Sequence, residues 1–147
     1  MDMRITRPHE SDETRALLDQ VGPALSRLRR RTLGTRRDLT RNLVLNVIAD
    51  ATGEMTVGRV AEEMGVTQPV ASRTVAACIT DGLVRRTASQ ADGRRSLLEL
   101  TEAGEAERSR LAVEQRQAFE LITAAWDPAE RLQFARFLVR YGQDSCT

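Results

Sequence analysis

The sequence predicts a mainly α-helical protein carrying one small β-hairpin. Three observations predict it. Apolar residues recur at helical spacing through most of the chain. Two short β-runs flank a polar Asp-Gly turn. The length, 147 residues, suits one domain of ordinary size.

The first helix is expected from Ser11-Asp12-Glu13, acidic as a helix N-terminus prefers, to about Arg31. Leu17, Leu18, Val21, Leu25 and Leu28 form its stripe, and Pro23 inside the stripe predicts a kink or break. A second helix from about Asp38 to Ala51 places Leu39, Leu43, Val44, Val47, Ile48 and Ala51 on one face. Thr52-Gly53 ends it. A short amphipathic helix follows over Thr56–Met64, with Thr56 as cap, and Gly65-Val66 interrupts it. The next helix starts at the cap candidate Thr67 and runs to Asp81, with Gly82 as its stop.

Two strands come next, Leu83–Thr87 and Ser96–Leu100, joined by a polar loop ending in Asp92-Gly93-Arg94-Arg95. Thr101 opens a long helix to about Ala125, with Leu111, Ala118, Phe119, Ile122 and Trp126 at helical spacing. Asp127-Pro128-Ala129-Glu130 resembles a capping box with Pro at the first helical position. It opens a last helix carrying Leu132, Ala135, Leu138 and Val139, with Phe134, Phe137 and Tyr141 alongside. Residues 1–10 read as a loose arm.

Composition excludes several classes. Apolar residues make up 41% and charged residues 29%, the balance of a soluble globular chain. A chain of this size buries roughly two-thirds of the surface it exposes unfolded, so it needs neither disulfide nor metal to fold. No apolar run is long enough to span a membrane, and Met1–Thr6 lacks the apolar core of a secretory signal. A cytoplasmic, nucleoid-associated location is expected. Cys78 and Cys146 are too few for a disulfide framework or zinc site. The single His9 leaves no material for a histidine metal cluster or a Ser-His-Asp triad. No cofactor, metal site or enzymatic reaction is expected.

Net charge is only +1, but it is unevenly spread. Residues 27–41 hold seven arginines against Asp38, a local +6, and residues 66–98 hold five against Asp81 and Asp92, a local +3. Residues 99–130 hold eight acids against three arginines, a local −5. All 22 basic residues are arginine. Coding bias explains that more simply than function does, yet the consequence stands: guanidinium stays charged and offers a planar fork to phosphates and guanines.

Residues 56–75 carry the most specific signal. Small Ala61 lets two helices approach, Gly65 supplies a sharp turn, and Ser72 keeps the spacing of a helix-turn-helix. Thr67, Gln68 and Pro69 then start a recognition helix aimed at the major groove, where Gln can read adenine and Arg guanine. Ser72 and Arg73 lie one turn on. A plain helical hairpin is the competing reading. The ribbon that follows favours a winged variant, with Arg94 and Arg95 at a tip that suits a narrow minor groove and Asp92 as wing support for the Arg94 side chain. An ordinary solvated loop is the alternative.

Three stretches, Gly65–Val75, Asp81–Arg86 and Asp92–Gly104, resemble the MarR family of bacterial transcriptional regulators. Leu39-Thr40 and the helix order extend the likeness. Asp-x-Arg leading to Leu-Thr-x-x-Gly is its most specific part, and Ala71, where a larger β-branched residue is common, departs from it. The resemblance implies a winged helix-turn-helix lobe at 38–100 and dimerisation helices at 11–33 and 101–145, within one domain spanning 1–147. It implies a homodimer that binds a pseudo-palindromic operator on double-stranded DNA, probing it as a ligand-responsive repressor. Trp126, Phe134, Phe137, Leu138 and Tyr141 independently offer more apolar surface than a small lobe can cover.

The resemblance also implies an effector cleft for a small anionic aromatic molecule. Leu17, Val21, Leu43, Val47, Leu111 and Gln115 are the candidates for its walls, although a core role for each is the simpler reading. The Arg29–Arg37 cluster suits an anion or flanking phosphates. Cys78, beside Val75 and Ile79, reads as a small core residue, so cysteine redox sensing is a lesser alternative. Another is a winged module that contacts protein and does not bind specific DNA.

Overall fold

The computed structural model describes residues 11–30 and 36–146. The N-terminal arm, His9 and the middle of the first arginine block lie outside the described residues. The chain divides into two compact units, residues 1–33 and 34–147.

The first unit holds α1 (Asp12–Asp19) and α2 (Val21–Arg30). Ser11 caps α1, its hydroxyl accepting the Thr14 N–H at 3.2 Å, with Asp12 and Glu13 favourably placed in the first turn. The break falls at Gln20, one turn before the proline. Pro23 has no N–H, and its ring clashes with the carbonyl four residues earlier, that of Asp19, so a continuous helix fails there. Leu17, Leu18, Val21 and Leu28 are all exposed.

The second unit begins with α3 (Arg36–Ala49), α4 (Val57–Met64) and α5 (Gln68–Thr80). The hairpin follows as β1 (Val84–Ala88) and β2 (Ser96–Leu100), then α6 (Glu102–Ile122) and α7 (Pro128–Asp144). The hairpin is antiparallel, in register from Val84 opposite Leu100 to Ala88 opposite Ser96. On the other edge of β2, the Leu98 N–H donates to the Met55 carbonyl at 2.8 Å, a pairing that local pattern does not predict. The core gathers Val44, Leu45, Ile48, Met55, Val60, Ala61, Ala71, Val75, Cys78, Leu83, Val84 and Leu98. Cys78 is therefore a packing residue.

Leu83 belongs to the turn before β1, because its N–H closes back on Cys78 O at 2.9 Å. The joint between this turn and α6 is tight. Thr101 caps α6 by accepting the Gly104 N–H at 3.0 Å and donates its hydroxyl to Gly82 O at 2.6 Å. A Cβ on Gly104 would sit 2.0 Å from the Leu83 carbonyl oxygen, so only glycine permits this approach. The Leu-Thr-x-x-Gly run thus has a steric meaning.

α6 stops at Ile122, three residues before the expected end. Thr123, almost fully buried, caps it and turns its hydroxyl onto Phe119 O at 2.7 Å. Asp127 accepts the Ala129 N–H at 3.4 Å and starts α7 with Pro128 at its first position. None of the described α7 side chains is buried. Phe134 touches Phe119 (ring centroids 6.0 Å apart) and Trp126 (5.4 Å), and Phe137, Leu138, Val139 and Tyr141 lie exposed. No helix among the described residues is long and apolar enough to cross a membrane.

Candidate nucleic-acid interface

α4 and α5 form the helix-turn-helix. Thr56 caps α4 by accepting the Arg59 N–H at 3.3 Å. Gly65 ends it at φ +64°, in the left-handed region that favours glycine, and Val66 N–H returns to Ala61 O at 3.0 Å. Ala61 and the fully buried Ala71 keep the two helices close. Ala71 is fully buried, where a small side chain allows close packing.

Thr67, Gln68, Pro69, Ser72 and Arg73 all lie exposed at the start of α5 and one turn on. Thr67 occupies the cap position with extended backbone, but its hydroxyl makes no cap bond, contrary to expectation. Pro69 in the first turn has no N–H to satisfy there, which lessens the need for that bond.

The wing is held from its base. Ser89, nearly fully buried, donates its hydroxyl to the Glu54 carboxylate and accepts the N–H groups of Ala91 (3.2 Å) and Asp92 (3.1 Å). Asp92 accepts the backbone N–H of Arg94 at 3.0 Å, so it shapes the turn's backbone and does not grip the Arg94 guanidinium as expected. The four hairpin arginines differ in what they already hold. Arg85 pairs with Glu99 at 2.9 Å across the strands, Arg95 faces Glu54 at 3.7 Å, and Arg86 donates to the Ser96 hydroxyl at 3.5 Å. Arg94, exposed at the tip, has no ion pair among the described residues.

The six cleft candidates are divided between the two units. Leu17 and Val21 lie in the first unit, both exposed. In the second, Leu111 is buried, Val47 half-buried, and Leu43 and Gln115 exposed. A groove of about 510 Å³ does open between α3 and α5, bordered by Thr40, Arg41, Val70, Arg73, Thr74, Ala77, Cys78 and Asp81. None of the six borders it. Of the Arg29–Arg37 cluster, the central residues lie outside the described residues.

Three residues that local pattern does not single out organise this lobe: Glu54, Ser89 and Arg41. Arg41 on α3 donates to Asp81 at 2.5 Å and faces Glu107 on α6 at 3.7 Å. Arg110 hydrogen-bonds Glu107 and holds its carboxyl below the usual carboxylate range; burial opposes this, and the charges of Arg110 and Arg41 assist it. Among the described residues no cluster of histidine, cysteine and carboxylate side chains could hold a metal ion.

Residues 38–95 match the sequence model of the MarR family. No curated protein matches the chain. Among solved structures, a MarR family protein from Bacillus stearothermophilus is 18% identical with a TM-score of 0.70, covering 94% of this chain and 99% of that one. The PcaV transcriptional regulator from Streptomyces coelicolor, solved with its natural ligand, is 23% identical with a TM-score of 0.57, over 88% and 96%. The heme sensor PefR from Streptococcus agalactiae, solved with heme, is 18% identical with a TM-score of 0.54, over 92% of each chain. The helix-turn-helix and wing, residues 38–95, thus match the MarR family model, and the chain shares its fold with MarR structures along most of its length.

Proposed function

We propose that the protein is a sequence-specific, double-stranded-DNA-binding transcriptional regulator, acting as a homodimeric repressor released by a small ligand. One observation carries the reading. A single lobe presents an exposed recognition-helix start, Thr67 to Arg73, together with a wing whose only tip guanidinium without an ion pair among the described residues is Arg94. Such a pairing suits major-groove readout by the helix and minor-groove insertion by the wing.

The dimer is supported by α7, which buries none of its described side chains and exposes Phe137, Leu138, Val139 and Tyr141. Monomeric proteins rarely leave so continuous an apolar face in water. Ligand release is supported by the α3–α5 groove and by the ligand-bound PcaV and PefR structures of the same fold. A small anionic aromatic effector would meet Arg73 on the groove's rim, and its coupling to DNA would lie in the usual range of about 1–3 kcal/mol.

A gel-shift against the DNA flanking its own gene tests the reading, repeated across salt concentrations. The expected site is a pseudo-palindrome with half-sites about one helical turn apart. If the two lobes together neutralise about eight phosphates, the log–log salt slope lies near −7. A slope near zero overturns it.

A further inference from the structure

We propose that Arg41 is a positioning residue for DNA reading: it clamps the C-terminal end of α5 between α3 and α6, so that the reading face of α5 keeps a fixed orientation. The inference rests on the DNA-binding reading above and adds a residue that neither touches DNA nor belongs to the helix-turn-helix.

The chemistry begins at Asp81. This residue caps the C-terminal end of α5, where the helix macrodipole is negative and a carboxylate is out of place. A cation beside it turns that liability into an anchor. Arg41 supplies the cation, its Nη2 donating to Asp81 Oδ2 at 2.5 Å, and its Nη1 lies 3.7 Å from Glu107 Oε1 on α6. The three side chains are only 20%, 30% and 17% exposed, so water screens the pairs weakly. A guanidinium can serve two carboxylates at once because its donors point along separate directions of one plane.

The next two residues are fixed from the opposite side. Gly82 O accepts the Thr101 hydroxyl, Leu83 O accepts the Thr101 N–H at 3.1 Å, and Gly104 packs against the same carbonyl. Residues 81–83 therefore connect to α3 by charge and to the first turn of α6 by backbone. The Thr101 joint holds the end of α5 from the α6 side, beyond the core packing of Val75 and Cys78. Arg41 holds it from the α3 side. Arg73, two turns before Asp81 on α5, borders the same α3–α5 groove as Arg41 and Asp81, so rotation of the helix end carries a reading residue with it.

The test uses a duplex selected by the wild-type full-length protein from a random-sequence pool. Affinities for that duplex and for a random duplex are measured by fluorescence anisotropy at one salt concentration, and their ratio is the readout. A variant that merely loses folded protein lowers both affinities together and leaves the ratio alone. Arg41→Ala and Asp81→Asn should each lower the ratio about tenfold, and the double variant no further, because the pair acts as one unit. In the free protein, amide hydrogen exchange at Asp81, Gly82 and Leu83 should accelerate in both single variants. A wild-type ratio in Asp81→Asn, which alters one carboxylate and keeps its shape, overturns the clamp even if Arg41→Ala fails to fold. So do additive losses in the double variant. Both outcomes leave DNA binding itself standing. If the wild type enriches no duplex, the DNA reading falls and the clamp's role falls with it.

Discussion

Ser89 and Glu54, 35 residues apart in sequence, share a hydrogen bond at the root of the wing. The serine hydroxyl is fully used, with one proton given to the carboxylate and both lone pairs taken by the amides of Ala91 and Asp92. Removing the hydroxyl leaves two amides and part of a half-buried carboxylate without their protein partner. Ser89→Ala should cost about 1–3 kcal/mol, read from urea unfolding, with faster amide exchange confined to residues 89–95. Unchanged exchange there would show that the hairpin strands alone hold the wing.

Arg73 and Arg94 should fail differently. Arg73→Ala should cost about 1–3 kcal/mol of operator affinity and relax preference at one base position. Arg94→Ala should weaken operators with AT-rich flanks most, since a narrow minor groove is what attracts its guanidinium. Arg94→Lys should recover only part, because ammonium is more strongly hydrated. Arg95→Ala should lose less than Arg94→Ala, Arg95 being already engaged by Glu54. Anisotropy on AT-rich and GC-rich flanks separates the four variants.

Gly104→Ala introduces a Cβ 2.0 Å from Leu83 O, and both groups are backbone-anchored. The joint must open, at a cost of about 3 kcal/mol or more. Thermal unfolding followed by circular dichroism should show the loss. A variant as stable as wild type would mean that the joint yields cheaply.

Truncation after Asp127 removes α7 with its exposed apolar face. The shortened chain should be monomeric or insoluble by light scattering. A folded dimer would place the subunit contact elsewhere.

Glu107 gives stability a pH dependence. Its carboxyl titrates below the ordinary 4.5, chiefly through the Arg110 hydrogen bond. The folded state thus holds the proton less tightly than the unfolded state. Its contribution is present in full above the ordinary value and fades as pH falls below it. Glu107→Gln should flatten that acid limb in urea titrations from about pH 6 down to about pH 3.

Much of this architecture is readable from local pattern. The stripe of Val44, Val47 and Ile48, the turn at Gly65 and the stop at Gly82 each announce an element within a few residues of its place. The misses share a cause. The bond between Arg41 and Asp81 spans 40 residues and that between Glu54 and Ser89 spans 35, so neither leaves a periodic trace. Ser89 reads as loop because serine between Ala88 and Gln90 carries no sign of an acceptor 35 positions upstream. The helix break at Gln20 follows a rule that acts at a distance of four residues, so its position had to be found upstream of Pro23. Leu43 and Val47 on α3 share one stripe in the sequence, yet the first is exposed and the second half-buried.

The bond from Leu98 to Met55 has a consequence for solubility. A strand with bare backbone along one side is a template on which other chains can line up and precipitate. Met55 takes one position on the outer side of β2, and among the described residues no strand pairs with the outer side of β1. That strand carries Arg85 and Arg86, two fixed positive charges in five residues. An identical strand laid against it would bring like charges into contact. The ribbon can therefore stand out in water as a wing without becoming a seed for aggregation.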